Sequence, residues 1–164
     1  MAGGPIMPSS VYYNDSSGRI YPLCYSPGTS TNDAPREWGH GVVGSLGGDS
    51  ILSLRFPVPP GSVPTGTLKL RGLFLANATT GTINYTVEDG SCGAGVIPAT
   101  VTLTSETQSS LSWGTGDADK YKEVKTTLTT SPAANDMLIV AVKFQTSGWT
   151  LAVQMCAIFS IIWE

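Results

Sequence analysis

Charge is what this sequence has least of. Of its 164 residues only 13% are Asp, Glu, Lys or Arg, about half the share usual for a globular domain. Lys and Arg total 9 and are scattered, and the net charge is −3, so no basic patch marks a nucleic-acid footprint. A single histidine, His40 in Trp38-Gly39-His40-Gly41, leaves the many serines without a placed base, and no G-x-S-x-G elbow occurs. The three cysteines, Cys24, Cys92 and Cys156, are odd in number and widely spaced. They suit neither a disulfide framework nor a zinc site and read as free buried thiols of a reducing cytoplasm. No apolar run is long enough to cross a bilayer; Leu151 to Trp163 is short and interrupted by Gln154 and Ser160. Met1 to Pro8 has neither a basic start nor an apolar stretch and so reads as no secretory signal. No membrane partner is expected.

The remaining chemical motifs are equally thin. Asp117-Ala118-Asp119 lacks the spaced oxygen ligands and closing Glu of a calcium loop. Gly44 to Gly48 precedes no helix and is not a phosphate loop. Glu88, Asp89 and Glu106 offer no preferred pair for glycoside hydrolysis. Asn77-Ala78-Thr79 and Asn84-Tyr85-Thr86 match the glycosylation sequon, which without a secretion signal reads as coincidence. We therefore assign no catalytic, cofactor-binding or metal-binding residue from the sequence, and expect no enzyme.

What is present is abundant Ser and Thr, with 19 Gly and 11 Pro as punctuation. These residues suit strands and turns, and neutral hydroxyls are far cheaper to desolvate than charges. Residues 1–48 show little periodicity, yet hold Tyr12, Tyr13, Tyr21, Tyr25 and Trp38, whereas disordered segments are poor in aromatics. We read them as an extended arm lying on a protein surface, with a hairpin across Asn14 to Gly18. Residues 49–164 alternate. Leu52, Leu54, Phe56 and Val58 share one face; so do Ile83, Tyr85 and Val87; so do Ala99, Val101 and Leu103; and so do Leu138, Val140, Val142 and Phe144. Thr67 to Leu75 changes phase between Leu70 and Leu73, which predicts a bulge at Gly72. Ser105 to Ala118 reads as a polar loop with at most a turn of helix, and Tyr121 to Thr129 as a Thr-rich strand with Val124 and Leu128 on one side.

The final strand, to Trp163, is apolar on both faces in its second half, because Cys156, Ile158 and Ile162 fall between Ala157, Phe159 and Ile161. A sandwich strand normally keeps one face wet, so this one needs a cover, either the arm or a neighbouring subunit. Tyr12, Tyr13, Tyr21, Tyr25, Trp38, Ile158 and Ile162 are accordingly the candidate interface residues. Trp38, Trp113, Trp149 and Trp163 admit two readings, a sugar platform or core residues and loop pins. About seven strands with frequent turns and no helical crossover predict an all-β antiparallel sandwich. The jelly-roll type, with eight strands, matches if one arm strand joins the sheets.

Leu54-Arg55-Phe56-Pro57-Val58-Pro59, Gly66-Thr67-Leu68-Lys69-Leu70-Arg71 and Phe74 to Ile83 together resemble a pattern in small jelly-roll virion proteins of tailed bacteriophages. There an F-x-x-P strand end is followed by G-x-L-x-L and an A-x-x-A-T-x-G segment. The similarity covers about residues 50–164. It implies a structural protein of the virion, made in the host cytoplasm. One form is a cement (decoration) protein at the capsid surface, binding the major capsid protein and itself as a homotrimer. The alternative form is a tail-fibre or head-spike module binding a host glycan or receptor. The pattern brings no catalytic residues and no cofactor.

Overall fold

Apolar residues recur at every second position through most of the chain, and in three dimensions that alternation becomes two facing antiparallel sheets. The structure is a computed structural model and describes residues 5–14, 20–22, 40–42, 50–76, 80–105, 108–118, 120–144 and 155–164. Its strands are β1 (Ser10–Asn14), β2 (Ile20–Pro22), β3 (His40–Val42), β4 (Ser50–Pro57), β5 (Leu68–Ala76) and β6 (Gly81–Cys92). They continue with β7 (Thr104–Ser105), β8 (Ser109–Trp113), β9 (Lys120–Thr127), β10 (Met137–Phe144) and β11 (Met155–Trp163).

One sheet runs β2-β1-β4-β10-β6, with β7 and β8 end to end along the far edge of β6; the other runs β3-β11-β5-β9. The pairing is nested. β6 pairs with β7 and β8, β5 with β9, β4 with β10, and β3 with β11. Counted as one interrupted strand, β7 and β8 bring β3–β11 to eight, a hairpin ribbon rolled into two sheets. That is the jelly roll. β3 lies inside the N-terminal 48 residues, so an arm strand does complete the sheets.

The rest of the described arm lies along the edges of the sandwich. β1 and β2 form the expected hairpin, with Tyr13 opposite Tyr21, and β1 extends the first sheet beside β4. Upstream, Ile6 exchanges hydrogen bonds with Ile161 of the other sheet, at 3.0 and 2.9 Å, and the Ser9 N–H donates to the Arg55 carbonyl at 2.7 Å. Residues 6 to 14 thus cross from one sheet to the other and close one open side of the sandwich.

The core forms where the inward sets meet. Leu52, Leu54 and Phe56 of β4 and Leu138, Val140 and Val142 of β10 face Leu70 and Phe74 of β5 and Phe159 and Ile161 of β11. Tyr85 of β6 carries a polar group into this layer. Its hydroxyl is hydrogen-bonded to Ser109 of β8 and Thr126 of β9, so one phenol ties the two sheets together.

Three expectations are corrected. No bulge occurs at Gly72: β5 runs in unbroken register against β11 and β9, Leu73 faces outward, and Gly72 faces the core. A Cβ at Gly72 would lie 2.6 Å from Phe74 Cε2 and 3.2 Å from Phe159 Cε1, so the glycine is there to admit two rings. Ala99 to Leu103 is not a strand. A 3-10 turn, Pro98–Thr100, opens the segment, and Val101 and Leu103 then pack over Gly90, where a Cβ would be 2.9 and 3.1 Å from them. The expected polar loop after Ser105 contains β8, whose Trp113 is only 3% exposed. Ser and Thr positions hid that strand because hydroxyls are as common in turns as on edge strands.

Candidate functional site

Jelly-roll connections gather at the two ends of the sandwich, and one end is chemically distinctive. Met137 lies opposite both Pro57 and Cys92, and Trp163 lies opposite Leu68. The loops 58–67, 93–103 and 128–136 therefore emerge together. Between them they hold one ionisable residue, Asp136, whose carboxylate accepts a hydrogen bond from the Ala133 N–H at 2.9 Å. This caps a turn in which Asn135 is left-handed at φ 68.

Two devices hold the end in shape. Asp89 of β6 is fully buried, and its carboxylate accepts from the backbone N–H groups of Thr130 at 2.9 Å and Thr129 at 3.4 Å. A charge-capable group in the core is tolerated because the loop's own donors surround it. Gly66, at φ +126, brings loop 58–67 against the last residue, where a Cβ would meet the Glu164 carbonyl oxygen at 2.9 Å. Thr67 and Glu164 exchange backbone hydrogen bonds at 2.6 and 3.0 Å.

Between these loops opens a pocket of about 440 Å³. Its apolar wall is Val63, Pro64, Leu68, Leu128, Pro132 and Trp163; Thr65, Thr67, Thr130 and Ser131 supply hydroxyls, and no charged side chain lines it. Loop 93–103 leaves β6 at the same end of the sandwich. Val96 is 50% and Ile97 65% exposed, while Met7 at the same end is 52% exposed. The loop is nonetheless internally bonded. The Thr100 N–H and hydroxyl donate to the Ile97 carbonyl at 2.9 and 2.8 Å, and the Cys92 thiol donates to the Val96 carbonyl at 3.2 Å.

The charged side chains lie outside the pocket, and one cluster of them borders this end. On the outer face of the β3-β11-β5-β9 sheet, the Glu164 carboxylate takes both Lys125 and Lys69, the latter at 2.9 Å. These ammonium groups, Lys125 foremost, hold its carboxyl below the usual carboxylate range. Arg71 pairs with Glu123 at 2.6 Å on the same face. At the opposite end Asp117 accepts from the Gly114 N–H and from Lys122, both at 2.7 Å, and Lys122 holds its carboxyl low. That carboxylate caps a turn. Among the described residues no cluster of His, Cys, Asp or Glu is arranged to hold a metal ion.

The candidate interface residues fall into separate groups. Tyr12, Tyr13 and Tyr21 are brought together by the β1–β2 hairpin beside β4. Ile158 and Ile162 are half-buried on the outer face of β11, where Ile158 lies directly opposite Leu73. Tyr25 and Trp38 lie outside the described residues. The arm meets β11 along its edge, through β3 and Ile6, with His40 paired to Ala157. Of the tryptophans, Trp163 walls the pocket, Trp149 and Trp38 are outside the described residues, and Trp113 is closed off. The Lys122 ammonium lies 5.6 Å above the Trp113 ring, which is no open sugar platform. Cys92 is buried and free. Sequence reasoning missed this end; that three separate loops hold a single ionisable residue between them was visible, but not that they converge.

No family model and no curated protein matches the chain. Among solved structures it is similar to the K3 cleaved adhesin domain of Lys-gingipain from Porphyromonas gingivalis w83. The TM-score is 0.52 and the identity 12%, over 99% of this chain and 98% of that one. The likeness is one of fold alone. Weaker similarities are to a family 11 carbohydrate-binding module from Clostridium thermocellum in complex with a β-1,3-1,4-mixed-linked tetrasaccharide, and to TmCBM61 in complex with β-1,4-galactotriose. The first has TM-score 0.37 and 8% identity, covering 100% of this chain and 86% of that one. The second has TM-score 0.34 and 10% identity, covering 71% and 63%.

Proposed function

We propose that this chain is a non-catalytic structural protein of a virion, a cement protein that binds between major capsid subunits at the head surface as a homotrimer. The observation that carries the reading is one end of the sandwich, where the arm exposes Met7, loop 93–103 exposes Val96 and Ile97, and a pocket lined by no charged side chain opens. Exposed apolar side chains in one region mark a surface to be covered. Covering neutral groups costs little desolvation, and each Å² of apolar area contributes about 25 cal/mol. A cement protein works this way, adding interface to a lattice without chemistry. The resemblance of residues 50–164 to phage virion proteins points to the same role.

A second reading is a tail-fibre or head-spike module that binds a host glycan. The hydroxyls and Trp163 of the pocket favour it, as do neighbours described as adhesin and carbohydrate-binding domains. One pair of experiments separates the two. The full chain is sedimented with empty heads assembled from the major capsid protein of the same genome, and is also applied to a glycan array. Saturable co-sedimentation with a silent array is expected. Array hits without head binding would move the assignment to the second reading, and neither result would sink both.

A further inference from the structure

Loop 93–103 holds an aliphatic tip in the open. None of its residues is ionisable, and the run Ala94 to Thr100 is exposed throughout. Ile97, at 65%, is the most exposed large apolar side chain among the described residues. The loop is nonetheless closed on itself. The Val96 N–H donates to the Gly93 carbonyl at 3.2 Å across Gly95, whose φ is +83. The Cys92 thiol donates to the Val96 carbonyl, the Thr100 N–H and hydroxyl to the Ile97 carbonyl, and the Val101 N–H to the Pro98 carbonyl at 3.2 Å. At the stem, Val101 and Leu103 pack over Gly90. We infer that Val96–Ile97–Pro98 is a rigid apolar plug whose partner is a preformed, uncharged apolar cleft in a major capsid subunit. The inference rests on the cement reading above; it names the element that anchors the protein and the surface the capsid must present.

Four observations select that kind of partner. First, main-chain recognition is closed off. The carbonyls of Gly93, Val96, Ile97 and Pro98 already accept hydrogen bonds within the loop, and Pro98 has no N–H to give. A partner adding a strand here would have to break those bonds, so side chains must carry the contact. Second, the internal bonds fix Ile97 before any partner arrives, so insertion into a rigid cleft costs little further ordering entropy. Third, the tip suits neither a charged surface nor a bilayer. A charged surface would lose hydration against a loop that offers no counter-charge. The loop has no Lys, Arg, Trp or Tyr to hold it at lipid headgroups. A carboxylate stands at its foot instead, where a Cβ on Gly93 would lie 3.3 Å from Asp136 Oδ1. Fourth, one tip is far smaller than the area of about 800 Å² per partner that a stable pair of copies needs. A homotrimer would present three tips to one lattice, where linked contacts multiply.

The test co-sediments the full chain with empty heads assembled from the major capsid protein of the same genome, reading Kd from a concentration series. Ile97→Ala should weaken binding about 30-fold, the effect of emptying a pocket at the centre of an interface, and Ile97→Asp should abolish it. Ile97 is exposed, so both variants are expected to keep the wild-type circular dichroism and Tm. Tyr121→Ala, which removes an exposed aromatic from β9, should bind like wild type. Undiminished binding of Ile97→Asp would overturn the inference and leave the cement reading standing, because another surface would then carry the contact. An equal loss in Tyr121→Ala would also overturn it, since the loop would then have no special role. Heads that bind no wild-type chain would sink the cement reading and the inference with it. Two further measurements cover other occupants. Phosphatidylcholine vesicles should not float the wild-type chain, and light scattering should give wild type and Ile97→Asp the same mass. Flotation that Ile97→Asp loses would assign the tip to a bilayer, and a mass that falls in Ile97→Asp would assign it to a second copy; either result overturns the inference.

Discussion

Replacing Gly72 by Ala tests the packing logic of the core at a single atom. The new Cβ would lie 2.6 Å from Phe74 Cε2, 3.3 Å from Phe74 Cζ and 3.2 Å from Phe159 Cε1. Those rings form an edge-to-face pair, 5.5 Å between centroids at 89°, in the fully closed centre of the sandwich. Neither ring can swing away without disturbing the other or Tyr85, whose centroid is 5.6 Å from that of Phe74. Overpacking of this kind costs about 1–3 kcal/mol. Alanine recovers roughly 0.5–1 kcal/mol through the smaller backbone entropy of the unfolded chain. The net expectation is a loss of about 1–2 kcal/mol, which for a domain of this length lowers Tm by roughly 2–8 °C. Denaturation followed by tryptophan fluorescence reads it directly. The decisive step is a double-mutant cycle with Phe74→Leu, which removes the ring atoms at 2.6 and 3.3 Å from the new methyl and leaves only the Phe159 contact at 3.2 Å. In that background Gly72→Ala should cost little or stabilise, giving a coupling of about 1–2 kcal/mol. Equal costs in both backgrounds, or a stabilised single variant, would refute the account of why glycine stands there.

Three further expectations follow from individual groups. Tyr85→Phe should destabilise by about 1–2 kcal/mol, since it strips a hydroxyl bonded to both Ser109 and Thr126 and leaves the buried threonine a partner short; urea denaturation measures it. Asp89→Ala should cost about 2–3 kcal/mol by freeing the Thr129 and Thr130 amides, and hydrogen exchange should show those amides losing protection ahead of β10. The Glu164 carboxyl, held low by Lys125 and Lys69, should titrate below its value in the urea-unfolded chain. Its ion pairs then contribute above the unfolded value and are lost as pH falls through the folded one. An NMR titration checks the sign, and Lys125→Met should move the midpoint up.

Much of this was legible along the chain because side-chain alternation is a local property. Leu52, Leu54 and Phe56, like Leu138, Val140 and Val142, announce an inward face by period 2 alone, whatever they later pack against. The low charge, the Tyr12–Tyr21 hairpin and the outward Ile158 and Ile162 were legible for the same reason: each is a statement about composition or spacing within a few residues. What only the tertiary structure decided is which distant pieces meet. Gly72 reads as a bulge until Phe74 and Phe159 are seen to need its vacant side. Asp89 reads as one more carboxylate until the loop of Thr129 and Thr130 closes over it. The three loops that meet at this end are separated by dozens of residues, and nesting β4 with β10 and β5 with β9 is what brings their ends together. Local pattern sets the strands and their faces; long-range pairing, with its closure of large loops, sets which loops share an end of the sandwich.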